Sequence, residues 1–121
     1  MPLVVLSPSG GSGLPEGSPE HRYEVQLTLD RQGFPDPAAW QADSATWHAR
    51  RFWPGQGLMD GDVVYDPDQG WALRFFRRDD SPVDAPIQAV IRGSAPCRPG
   101  ENVTISEPDG REFAWRIVGV G

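Results

Sequence analysis

The chain closes on a hairpin that its residue order spells out. Val103 and Ile105 alternate with Asn102, Thr104 and Ser106, the turn Glu107-Pro-Asp-Gly110 intervenes, and Phe113, Trp115, Ile117 and Val118 resume an apolar rhythm. A period of two sends successive side chains to opposite faces of a strand. Pro108 presets φ, and Gly110 accepts the positive φ that a tight reversal needs. This segment commits the end of the chain to an antiparallel sheet.

The same grammar recurs upstream. Tyr23, Val25, Leu27 and Leu29 alternate with Glu24, Gln26, Thr28 and Asp30, which reads as a half-buried strand. Trp47 to Trp53 reads as a strand stopped by Pro54-Gly55. Asp62–Asp66 and Trp71–Phe76 flank Pro67-Asp-Gln-Gly70 as a second hairpin. Ile87–Ile91 is a further strand, and Ala95–Gly100 turns the chain into the last hairpin. Asp36 ahead of Pro37-Ala-Ala-Trp-Gln-Ala42 predicts a short helix, because Asp accepts from the free amides of a first turn and Pro lacks one to satisfy. The expected fold is all-β, mainly antiparallel: a small barrel or sandwich of six to seven short strands with one short helix.

This single domain is expected to span residues 21–121. Residues 1–20 read as a flexible Gly/Ser/Pro-rich leader, in which Leu3–Leu6 is apolar enough to add an edge strand to this domain or to a neighbour. The expected core is Tyr23 or the Val25/Leu27/Leu29 face, with Val63, Leu73, Phe75, Ile87, Val103, Ile105, Trp115 and Ile117. Gly 14 and Pro 13 are high counts for 121 residues, but five Trp and five Phe supply what disordered chains lack. The single Cys97 excludes an intrachain disulfide. Met1–Leu6 lacks the basic start of a signal peptide, and no apolar run approaches the ~20 residues of a membrane span. A cytoplasmic protein with no membrane partner is expected.

All eleven basic residues are Arg. Schiff-base catalysis, a phosphate-binding-loop lysine and Ser–Lys dyads are therefore excluded. A net charge of -6 disfavours nucleic acid, which seeks a clustered cationic face.

Several constellations are candidates for chemistry. Cys97 with His21 or His48 is the conceivable thiol pair, with Arg98 placed to lower the thiol pKa. Asp60-Gly-Asp62 and Asp66-Pro-Asp68 suit either a hard cation or two tight turns, and the turn reading is the stronger because the rest of a calcium loop is missing. Arg and aromatic residues interleave over Trp47–Trp53 and Trp71–Arg78, as on a single-strand nucleic-acid platform. Alternation splits each run, however: Trp71, Leu73 and Phe75 share one face, while Ala72, Arg74 and Phe76 share the other. If the strands adjoin, His48, Arg50, Trp53, Asp60 and Asp62 would line a pocket. The candidate surface is thus His48, Arg50, Arg51, Trp53, Asp60, Asp62, Arg74 and Arg77, with no catalytic residue, metal or cofactor assigned.

Gly57–Asp66 resembles the Gly-Asp segment of self-cleaving repressor and signal-peptidase-like domains. That resemblance implies a serine nucleophile before the glycine and a lysine base after it. Phe52 stands where the serine would be and the chain has no lysine, so the activity does not carry over. The closing segment from Arg98 resembles the last hairpin of small tail and head–tail joining proteins of phage-like particles, which implies a β-barrel that functions by assembly. The leading expectation is a non-catalytic structural or protein-interaction module, binding another protein or itself through exposed strand edges. A single-stranded nucleic-acid-binding barrel and a small enzyme with an Asp/His pocket are the alternatives.

Overall fold

The computed structural model describes residues 2–9, 20–55, 57–75, 87–92 and 95–121. Eight strands follow in order: β1 (Leu3–Pro8), β2 (Arg22–Gln26), β3 (His48–Trp53), β4 (Gly57–Asp66), β5 (Gly70–Phe75), β6 (Ile87–Arg92), β7 (Asn102–Ser106) and β8 (Glu112–Val120). Each pairs antiparallel with the next, and β1 pairs with β8. The sheet is a closed up-and-down barrel. The sequence-based count of six to seven falls short because Leu3–Pro8 reads as leader from sequence alone. Val4 and Leu6 face inward and are buried, so this segment is a stave of the wall. Closure also overturns the exposed-edge expectation: the two terminal strands satisfy each other's backbone groups, and a closed barrel has no edge.

Local chemistry explains the reversals. Gly55, Gly70 and Gly110 adopt φ of 78°, 89° and 90° in the turns after β3, between β4 and β5, and between β7 and β8. Asp66 Oδ1 accepts from the Asp68 amide at 2.8 Å, so this acidic pair builds a turn. The helix α1 (Pro37–Ala42) begins as expected, with Asp36 Oδ1 accepting from the amides of Ala38 and Ala39. Too short to stand alone, it is anchored by Trp40, whose Nε1 donates to the Val63 carbonyl at 2.8 Å.

The barrel interior is filled by side chains, as expected at this strand number. Tyr23, Val25, Val63, Leu73, Phe75, Ile105, Trp115 and Ile117 are buried as predicted, joined by Leu6, Trp47, Ala49 and Phe113. Leu29 and Val103 are partly buried, and the Ile87 side chain lies outside the described residues. Each large apolar side chain so buried contributes roughly 1.5–3 kcal/mol. At the end covered by α1, Trp47 stacks on Trp71 at 5.2 Å, with Tyr65 and Trp40 packed around the pair. Among the described residues no helix is long and apolar enough to cross a membrane.

Candidate functional site

Strand register decides which candidate residues meet. Glu24, Arg50 and Asp60 sit opposite one another across β2, β3 and β4. The next outward row runs Gln26, His48, Asp62 and Arg74 across β2 to β5. The β2–β4 part of these rows borders an open concavity of about 470 Å³ on the outer wall, lined by Leu3, Glu24, Gln26, His48, Arg50 and Asp60 with Ala49 and Gly61, and Asp62 and Arg74 lie beyond it. The floor is low because β4 and β5 approach closely at Gly61. A Cβ there would overlap the Arg74 carbonyl and come within 2.9 Å of Phe75.

The polar groups of this surface are held unequally. Arg74 donates bidentately to Asp62, from Nε at 2.9 Å and from Nη2 at 2.6 Å, and that bonding holds the guanidinium more firmly protonated. Arg50 and Asp60 are looser: 3.5 Å apart, with side chains 58% and 54% exposed. Arg22 Nε lies 2.9 Å from Glu24 Oε2 without hydrogen-bond alignment, while its guanidinium rests 4.1 Å over Phe52. Among the described residues no hydrogen bond joins His48 to Asp60 or Asp62.

The structure therefore assembles His48, Arg50, Asp60, Asp62 and Arg74 on one outer surface. It sends Arg51 and Trp53 to the other side of the wall, and Arg77 lies outside the described residues. Arg51 is only 4% exposed. Its Nε donates to the Tyr23 hydroxyl at 3.0 Å, its guanidinium stacks 4.1 Å over Trp53, and Nη2 lies 3.7 Å from Glu107. Glu107 accepts from the Tyr23 hydroxyl and from Trp115 Nε1. Burial raises the Tyr23 and Glu107 pKa values, outweighing the opposing pull of Arg51 on each. Arg50 and Arg51 thus cannot form one cationic platform, and Trp71 and Phe75 also face inward. Phe76, Arg77 and Arg78, which the single-strand reading also uses, lie outside the described residues.

The thiol pair does not assemble either. Cys97 lies between β6 and β7, its amide bonded to the Gly33 carbonyl at 2.7 Å. His21 packs edge-on against Trp53 at the opposite end of the barrel. Arg98 donates to the Gln32 carbonyl at 3.0 Å, and burial pushes the Cys97 pKa up to about 11 instead of down. Among the described residues no three His, Cys, Asp or Glu side chains converge as metal ligands.

Sequence reasoning missed Leu3, Glu24 and Gln26 on the concavity and Glu107 inside the barrel. Glu24 and Gln26 were legible as the outward half of the Tyr23–Leu29 alternation. Glu107 was not, because it occupies a turn position where an acidic residue ordinarily meets solvent. No protein-family model matches the chain, and neither a characterised protein nor a solved structure does.

Proposed function

We propose that this chain is a non-catalytic protein-interaction module whose working surface is the outer concavity on β1–β4. The observation that carries this reading is the loose Arg50–Asp60 pair on the concavity wall. An ion pair so exposed is worth about 0–1 kcal/mol. A partner can therefore offer an acidic group to Arg50 at little cost. The two signs lie side by side, which favours a partner of matching mixed charge and disfavours a uniform polyanion. Assembly into a phage-like particle is the narrower form of the proposal and rests on the closing-hairpin resemblance.

The test is capture of partners from the native host by the tagged chain and by Arg50→Glu, which places three carboxylates in one row. Opposed carboxylates destabilise a strand pair, so the melting temperature of Arg50→Glu is measured alongside, and capture lost from a variant that stays folded reports lost recognition. The proposal expects a partner retained by the parent chain and lost from Arg50→Glu. Equal retention by both, or a monomer that retains nothing, counts against it.

The enzyme reading keeps one supporting observation, that His48 and Asp60 both line the concavity. Its carboxylates are engaged by arginines, and the described surface holds no cysteine or serine nucleophile. Turnover of any substrate abolished by His48→Ala would place it first.

A further inference from the structure

We infer that the partner of the outer concavity is an amphipathic helix, which seats an apolar side chain on Leu3, Val5 and Val118 and directs a carboxylate to Arg50. The inference rests on the interaction reading and names the chemistry of the partner. On β2 the outward residues are the polar Arg22, Glu24 and Gln26. Strands β1 and β8 depart from that pattern, because Leu3-Val-Val-Leu6 and Ile117-Val118 are apolar on both faces. A continuous apolar run is the pattern of a strand covered on both sides. The core covers the inner side through Val4, Leu6 and Ile117. The outer side keeps Leu3 and Val118, the exposed large apolar residues among those described, at 38% and 52%.

The pairing of these two strands brings their outer residues together. Val5 lies opposite Gly119 and Leu6 opposite Ile117, so Val118 is the extra residue of a β-bulge. A bulge re-aims a side chain, and here it leaves Val118 on the outer face, next to the pairing of Val5 with Gly119. Gly119 adds no side chain of its own to that face. A Cβ there would lie 3.9 Å from the Val5 Cβ, so its absence keeps the flank of Val5 open.

This apolar strip is continuous with the concavity. Leu3 belongs to both, and one row of paired residues runs Gly119, Val5, Glu24, Arg50 and Asp60 across β8, β1, β2, β3 and β4. Glu24, between the strip and Arg50, is already offset by Arg22 at 2.9 Å. Strands β1 and β3 are two spacings apart, about 10 Å. A contact that spans the strip and Arg50 therefore needs an apolar and an acidic group separated by that distance. The closed wall offers no strand edge, so an extended segment would find no ladder for its backbone. A helix satisfies its own backbone, and residues seven positions apart share a face at a separation of about 10.5 Å. The occupant is accordingly a helix with an apolar residue and an Asp or Glu two turns away.

The probe is a displayed library of helices about 20 residues long, randomised on one face and selected against the tagged full chain. Enriched helices should carry an apolar residue and an acidic one about two turns apart. Their affinity should fall about tenfold or more on Val118→Asp, on Leu3→Ser and on Arg50→Glu. Thermal melting establishes that each variant is folded, and Leu3→Ser carries the test should Val118→Asp not fold. In the parent chain the amide resonances of Val5 and Gly119 should shift when a selected helix is added. Binding lost on Arg50→Glu but kept by the two apolar-site variants overturns the helix anchor and leaves the concavity reading in place. Binding lost on the apolar-site variants alone overturns the pairing with Arg50. No enriched helix, or helices that bind every variant as they bind the parent chain, overturns the inference as a whole. Capture of a host partner that is sensitive to Arg50→Glu decides the broader reading separately.

Discussion

The Tyr23 hydroxyl donates to Glu107 Oε2 at 2.5 Å inside the barrel, joining β2 to the end of β7 across 84 positions of sequence. Arg51 donates to the same hydroxyl, and Trp115 to the other carboxylate oxygen. Four side chains on β2, β3, β8 and the β7–β8 turn thus satisfy one another where water is excluded. A buried ion pair adds little net stability over an apolar filling, but removing one partner leaves the other stranded.

Tyr23→Phe should therefore cost about 1–3 kcal/mol, because Arg51 Nε loses the hydroxyl it donates to and Glu107 loses its closest donor. Glu107→Ala should cost more, about 3–5 kcal/mol, since it leaves the Arg51 charge buried beside an empty place. Urea denaturation of both variants and of the double variant measures this. The double variant should fall short of the sum, as expected for residues in one network. Full additivity would mean the two side chains act independently.

The network also predicts a pH dependence with a definite sign. Burial raises the Glu107 pKa above its ordinary 4.5, against the Tyr23 hydrogen bond, the Arg51 charge and the Trp115 hydrogen bond. The folded state then holds this proton more tightly than the unfolded chain does. The associated stabilisation is fully present below the unfolded pKa and is lost as pH rises through the folded one. Stability of the parent chain relative to Glu107→Gln should thus fall as pH rises above the ordinary carboxyl value of 4.5. A difference that grows with pH would show that the charged form is the favoured one.

Gly61 fixes how closely β4 and β5 approach, and with it the floor of the outer concavity. A methyl group there meets the Arg74 carbonyl, a backbone atom that cannot swing aside. Gly61→Ala should destabilise the barrel by about 1–3 kcal/mol, as overpacking does. It should also disturb the Asp62–Arg74 pair, which belongs to the same two strands. Thermal melting gives the first effect. The amide resonances of Asp62 and Arg74 give the second, and an unchanged spectrum at those positions would separate the glycine from the concavity.

Much of this architecture was legible because its causes are local. The Tyr23–Leu29 alternation, the Asp36–Pro37 helix start and the glycines at positions 70 and 110 each act within a few residues. Closure was not legible, because β1 meets β8 across nearly the whole chain and nothing in Leu3–Pro8 names its partner. Arg51 shows the same limit from another side. Trp47, Ala49 and Trp53 share its face, so alternation alone sends it inward. There Tyr23 and Glu107, distant in sequence, meet its guanidinium. The outer site was half legible: residue types suggested His48, Arg50, Asp60 and Asp62, but only strand order put Glu24 and Leu3 beside them.

Cys97 is the one thiol in the sequence, and its surroundings predict slow chemistry. Burial pushes the thiol up to about 11 from an ordinary 9.0, and Arg98 is turned to Gln32 instead of the sulfur. The thiolate is the reactive form, so near pH 8 the folded chain should present roughly a hundredfold less of it than an unperturbed thiol. Alkylation by iodoacetamide should accordingly be slow in buffer and speed up by about that factor in denaturing urea. The rate in buffer should change little on His21→Ala or His48→Ala, since neither histidine is bonded to the thiol. Rapid alkylation of the folded chain, or a marked drop on removing either histidine, would restore Cys97 as a reactive centre and reopen the enzyme reading.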